Sequence, residues 1–176
     1  MFRIPLFTIV AAIAALLAYA AQQPDRFLVE RGISIQAPPE KVYAILSDFR
    51  HWESWSPWEK VDPAMKRTFS GAPSGTGAVY AWEGDNKVGS GRMEIVNTSP
   101  PNLIVIKLDF LKPLESHNIA EFTQRSDGGA TYVSWVMHGP SSYIAKLIGV
   151  FRSMDKMVGE DFRKGLEQLK AVAESS

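Results

Sequence analysis

Apolar residues alternate or recur along most of this chain, and changes in their period mark its elements. Residues 27–36 read as a strand, with Val29, Ile33 and Ile35 at alternate positions. Ala37-Pro38-Pro39-Glu40 interrupts it and opens a helix, because proline fits the first helical turn. That helix places Val42, Ile45, Leu46 and Phe49 on one side. Trp52, Trp55 and Trp58 then recur every third residue, which predicts one or two tight turns with a shared aromatic face. Strand-like runs follow at 66–70, 78–83, 88–96, 103–110, 115–124 and 131–138. Turn residues separate them, including Gly84-Asp85-Asn86 and Ser126-Asp127-Gly128-Gly129. Short links between successive strands predict an antiparallel sheet.

After Gly139-Pro140 the period lengthens to three and four. Ile144, Leu147, Ile148, Phe151, Met154, Val158, Phe162, Leu166 and Leu169 predict one long amphipathic helix from Ser141 to about Ala173. Gly149, Gly159 and Gly165 weaken it without forbidding it. A sheet with one apolar face needs a cover, and only this helix is large enough. The expected class is therefore α+β, with room for a cavity between sheet and helix.

The N-terminal segment follows another rule. Residues 4–21 are almost all apolar and carry no charge; Arg3 precedes them, and Gln22, Gln23, Pro24 and Asp25 follow. Ala18-Tyr19-Ala20 supplies a cleavage-like A-x-A site, so residues 1–23 read as a signal peptide. They equally read as a membrane anchor, since about 17–25 apolar residues span a bilayer. Both readings place the domain at 24–176 outside the cytoplasm, anchored or exported after cleavage, with the membrane as a partner through this segment.

Composition removes several functions. The 19 Lys+Arg balance the 19 Asp+Glu, which argues against a nucleic-acid partner. No Cys is present, so disulfides, thiolate metal sites and a Cys nucleophile are excluded. His51, His117 and His138 are scattered without ligand spacing, and no metal is expected. Gly75-Thr76-Gly77 and Gly89-Ser90-Gly91 lack the further glycine of a dinucleotide loop and precede strands, so no cofactor is expected either. The G-x-S-x-G hydrolase elbow is missing.

Three stretches resemble one superfamily. Residues 33–58, from Ile-Ser-Ile-Gln-Ala-Pro-Pro-Glu-Lys-Val-Tyr to Trp-Ser-Pro-Trp, are similar to the opening of START-like (SRPBCC) domains, nearest to the polyketide cyclase/dehydrase-like and lipid-transport branch. Gly129-Ala130-Thr131-Tyr132-Val133-Ser134-Trp135 resembles the penultimate element. Residues 161–170, Asp-Phe-Arg-Lys-Gly-Leu-Glu-Gln-Leu-Lys, resemble the end of the long helix. The resemblance covers about 27–173 and implies a helix-grip fold. In it a curved antiparallel sheet of about seven strands holds the C-terminal helix around an apolar pocket. Members bind lipids, sterols, hormones or polyketides, and some are cyclases or aromatases.

Strand parity then nominates the lining. Val133, Trp135 and Met137 share one face; Asn118, Ala120 and Phe122 point inward; so do Ile104, Ile106, Leu108 and Phe110, and Met93 with Ile95. Parity at 78–83 is open, with Tyr80 and Trp82 on one face and Val79, Ala81 and Glu83 on the other. The candidate ligand-binding residues are Trp58, Tyr80, Trp82, Met93, Leu108, Phe110, Asn118, Phe122, Trp135, Met137, Phe151, Met154 and Phe162. This inward set holds almost no titratable group, which favours a binder or carrier of an apolar small molecule or lipid. A cyclase/dehydrase-like enzyme is the alternative and needs an acid or base in the pocket. Glu83 is its weak catalytic candidate, with Arg92, Asp109 and His117 the other places to look. An Arg92–Asp109 cross-strand pair is also expected. A third possibility is a packed interaction module with no usable cavity, in which the Trp52, Trp55 and Trp58 cluster is simply core. Asn118 is the anomaly, because a buried amide needs a partner.

Overall fold

The seven strands expected from parity all form, and they lie in one antiparallel sheet ordered β1-β7-β6-β5-β4-β3-β2. The computed structural model describes residues 6–175; Arg3, Ile4 and Pro5 of the apolar N-terminal segment lie outside the described residues. The strands are β1 (Arg26–Ile35), β2 (Lys66–Gly71), β3 (Ala78–Glu83), β4 (Ser90–Ser99), β5 (Leu103–Lys112), β6 (Ser116–Asp127) and β7 (Ala130–Pro140). Strands β2 to β7 form a meander, and β1 closes it by pairing with β7, Arg26 opposite Pro140 and Ile35 opposite Thr131.

Among the described residues four α-helices accompany the sheet: α1 (Leu6–Ala21), α2 (Pro39–Ser47), α3 (Tyr143–Phe151) and α4 (Met154–Glu174). A 3-10 turn at Phe49–Ser54 follows α2. Asp48 caps it by accepting the Arg50 N–H at 2.9 Å. Helix α4 buries Phe162, Leu166, Leu169 and Ala173 against the inner face of the sheet. Together sheet and α4 make the helix-grip arrangement.

The predicted single C-terminal helix is two helices. Arg152 is extended (φ −149°, ψ 110°), and Ser153 starts a new helix by accepting the Lys156 N–H. The apolar period runs unbroken through the interruption, which hides it. The two pieces do different jobs: α4 packs on the sheet, whereas α3 buries none of its residues fully and packs along α1. Tyr143 Oη donates to the Leu17 carbonyl at 3.0 Å, and Lys146 pairs with Asp25. No helix among the described residues is long and apolar enough to cross a membrane.

Candidate functional site

The sequence predicts an apolar lining, and the structure supplies a cavity of about 230 Å³. It lies between the inner face of the sheet, the first half of α4 and the segment 52–65 that follows α2. Tyr80 and Trp82 of β3 point into it, which settles the open parity at 78–83. Met93, Leu108, Phe110, Ala120, Trp135 and Met137 line the sheet side, and Val158 and Phe162 the helix side. Trp52, Ser56, Trp58, Glu59 and Met65 form the third wall, with Lys87 and Val88 of the β3–β4 loop at the rim. Exposure marks the mouth: Lys87 is exposed and Trp58, Val88, Phe110 and Val158 are half-buried, whereas Trp52, Ala120, Trp135 and Phe162 are buried.

One wall is an aromatic stack. Trp135 stacks on Phe162 at 4.0 Å between centroids (interplanar angle 9°) and on Phe122 at 4.9 Å (29°). Trp58 meets Trp135 edge-on at 5.7 Å. Offset and edge contacts of this kind fix ring positions beyond what area burial does. Gly165 explains itself here, because a Cβ would sit 3.0 Å from the Trp135 ring and 3.1 Å from Pro57. A glycine that weakens the helix lets α4 approach the stack.

The polar part of the pocket was not read from the sequence. Glu59 is buried in the lining and holds two donors. Tyr80 Oη donates to Glu59 Oε1 at 2.7 Å, and Arg67 Nε donates to Oε2 at 2.7 Å. Arg67 also donates to the Glu59 and Met65 carbonyls at 2.8 Å each. Burial, then the hydrogen bond to Glu59, raises the Tyr80 phenol above its ordinary value. The Glu59 bond in turn raises the Arg67 guanidinium. The pocket therefore has apolar walls and one fixed polar pole: a protonated phenol on a carboxylate whose charge Arg67 balances.

Nine of the thirteen candidate residues line the cavity: Trp58, Tyr80, Trp82, Met93, Leu108, Phe110, Trp135, Met137 and Phe162. Four do not. Phe122 is fully buried behind Trp135, edge-on to Trp52 and Trp55. Met154 packs half-buried at the start of α4. Phe151 ends α3 and is 76% exposed, because the helix breaks just after it. Asn118 does point inward and is buried, but its amide donates to Ser116 Oγ at 3.3 Å, and its Oδ1 fills the space a Cβ on Gly139 would need.

The acid–base candidates are elsewhere. Glu83 lies on the outer face, 73% exposed and 3.9 Å from Lys66. Arg92 and Asp109 are register partners, yet the ion pairs formed are Arg92–Glu94 at 2.8 Å and Asp109 with Lys107 (3.0 Å) and His117 (2.7 Å). Arg92 and Lys107 reach along their own strands to Glu94 and Asp109, and Asp109 takes its direct partner on β6, His117, rather than Arg92 on β4. None of Glu83, Arg92, Asp109 or His117 lines the cavity.

Comparison with known proteins agrees with this architecture. A family described as polyketide cyclase / dehydrase and lipid transport matches residues 26–174. No curated protein matches the chain. Among solved structures, the protein CV1439 from Chromobacterium violaceum is similar at TM-score 0.59 and 16% identity, over 88% of this chain and 100% of that one. Major latex-like protein 151 from Panax ginseng gives TM-score 0.61 at 9% identity, over 85% and 99%. Aha1 from Colwellia psychrerythraea gives 0.57 at 16%, over 85% and 97%. At such identities the solved structures speak for the fold alone, whereas the family match spans nearly all of the strands and helices described above except α1. The chain belongs to the polyketide cyclase/dehydrase and lipid-transport family of the START-like superfamily.

Proposed function

We propose that the protein binds an apolar small molecule, or the apolar part of a lipid, between the sheet and α4. The observation that carries this reading is the cavity itself: about 230 Å³, walled by aromatic and Met side chains, with one polar pole. An apolar cavity of roughly 150 Å³ already takes up benzene, and drug-sized ligands fill roughly 300–1,000 Å³. The ligand is thus a compact ring system or a short apolar chain. Its polar group meets Tyr80 and Glu59. The apolar N-terminal segment, as signal or anchor, would place the domain outside the cytoplasm, and as an anchor would hold it near lipid.

The cyclase/dehydrase alternative needs a proton-transfer group facing the ligand. Glu59 is the one carboxylate in the lining, and both its oxygens already accept hydrogen bonds. That arrangement suits orientation of a ligand better than proton abstraction. The test is fluorescence titration of the full chain with the neutral apolar probe N-phenyl-1-naphthylamine. Ala120→Leu, which fills the cavity from β6, is expected to weaken probe binding at least about tenfold while leaving thermal stability unchanged or higher. Equal probe affinity in the variant would remove the cavity as the binding site.

A further inference from the structure

The pocket mouth shares one end of the sheet with an unusual apolar surface. Strand register places the start of β1, the end of β7, the β3–β4 loop and the β5–β6 turn at this end: Arg26 opposite Pro140, Glu83 opposite Ser90, Phe110 opposite Ser116. Helix α1 leads into β1 here and α3 leaves β7 here. Single exposed apolar side chains are normal on a protein surface. A whole helix with no fully buried residue, carrying Ile144, Ile148 and Phe151 into solvent, is not. Leu111 near the end of β5 and Leu114 of the β5–β6 turn are each more than half exposed at the same end.

Charge adds a second, independent observation. Lys87, Lys112, Arg152 and Lys156 lie on the β3–β4 loop, at the end of β5 and around the α3–α4 break, and none has an ion pair among the described residues. Of the carboxylates around them, Asp25 pairs with Lys146 and Asp155 with Arg31 at 2.7 Å, while Glu115 lies 3.4 Å from His117. Asp85 accepts the Lys87 and Val88 N–H groups of its own loop. In a chain of zero formal net charge, this end presents cations without an ion-pair partner among the described residues, set among exposed apolar side chains. Apolar side chains interleaved with cations suit the interface of an anionic bilayer.

We propose that this end docks on an anionic lipid bilayer. Helix α3 lies in the interface, Phe151, Leu111 and Leu114 enter the acyl boundary, and the cations face lipid phosphates. The pocket mouth then opens onto lipid, which rests on the cavity being a ligand site as proposed above; the docking itself does not.

The chain lacks Cys, so single labels are clean. Leu114→Cys and Phe151→Cys would carry an environment-sensitive nitrobenzoxadiazole label in the full chain, with Asp127→Cys on the opposite hairpin as control. Vesicles of phosphatidylcholine containing phosphatidylglycerol are expected to shift emission to the blue and raise it several-fold at 114 and 151, but not at 127. Reversing Lys112, Arg152 and Lys156 to Glu should weaken vesicle binding at least about tenfold. Three results would overturn the proposal: no response at 114 and 151 while a label at Ile13→Cys inserts, which is tethering by α1 alone; no response at any site; or the same shift without vesicles as concentration rises, which is self-association. Probe titration on the same samples separates the two readings. Insertion with no probe uptake removes the ligand pocket and leaves the docking in place.

Discussion

Glu59 is the residue on which the chemistry of the pocket turns. Its carboxylate ties the wall segment to the edge strand through Arg67 and to β3 through Tyr80. Tyr80→Phe leaves Glu59 Oε1 without its donor, which costs about 1–3 kcal/mol. Thermal unfolding should show that loss, and titration should show affinity for a hydroxyl-bearing probe falling more than affinity for N-phenyl-1-naphthylamine. Equal loss for both probes would mean that Tyr80 merely packs. Nothing in the local pattern marks Glu59: it follows Trp58 in a stretch without periodicity, and its partner Arg67 is eight residues away on another element. Parity of the strands, by contrast, put Tyr80 and Trp82 on one face together and left only the choice of face open.

Asp109 makes a separate statement on the outer face. Burial pushes its carboxyl up, but the hydrogen bonds from His117 and Lys107 outweigh this and hold it below the ordinary 3.8. A carboxyl depressed in the folded state stabilises the fold above its ordinary value, and that contribution is lost as pH falls through the lowered one. Thermal melts of wild type and Asp109→Asn should therefore differ near neutral pH and converge as pH drops below 3.8. A gap that stays constant into acid would show that the pair contributes packing alone.

At the scale of elements, the break between α3 and α4 is the chief departure from the sequence pattern. The apolar period of 3.6 continues across it because both helices need an apolar stripe, one toward α1 and one toward the sheet. The signal for the break is Ser153 followed by Asp155, an N-cap and an acidic first turn. Ser153→Ala removes that cap and should cost about 0.5–2 kcal/mol. In a chain of this size that lowers Tm by roughly 1–8 °C, since each kcal/mol shifts it by ~2–4 °C. An unchanged Tm would mean that the break is held by packing alone. The same break takes Phe151 out of the pocket and leaves it exposed at the end of α3.

The whole molecule was legible where burial imposes a period. Alternation placed all seven strands, and the motifs at 33–58, 129–135 and 161–170 pointed to the family that matches residues 26–174. The site was legible where it coincides with that alternation, hence the nine cavity-lining residues on strands, α4 and the Trp run. It was not legible where loops supply the wall, as Glu59, Met65 and Val88 do. Nor could alternation separate lining from deep core, which is why Phe122 falls behind the cavity rather than in it.

The central claim is that the cavity holds an apolar ligand. Native mass spectrometry of the full chain, purified gently from its own cell extract, tests it most directly. The account predicts a species heavier than the chain by one small molecule, reduced to the bare chain on denaturation and reduced in Ala120→Leu. A bare chain that stays bare after incubation with a lipid extract would contradict it.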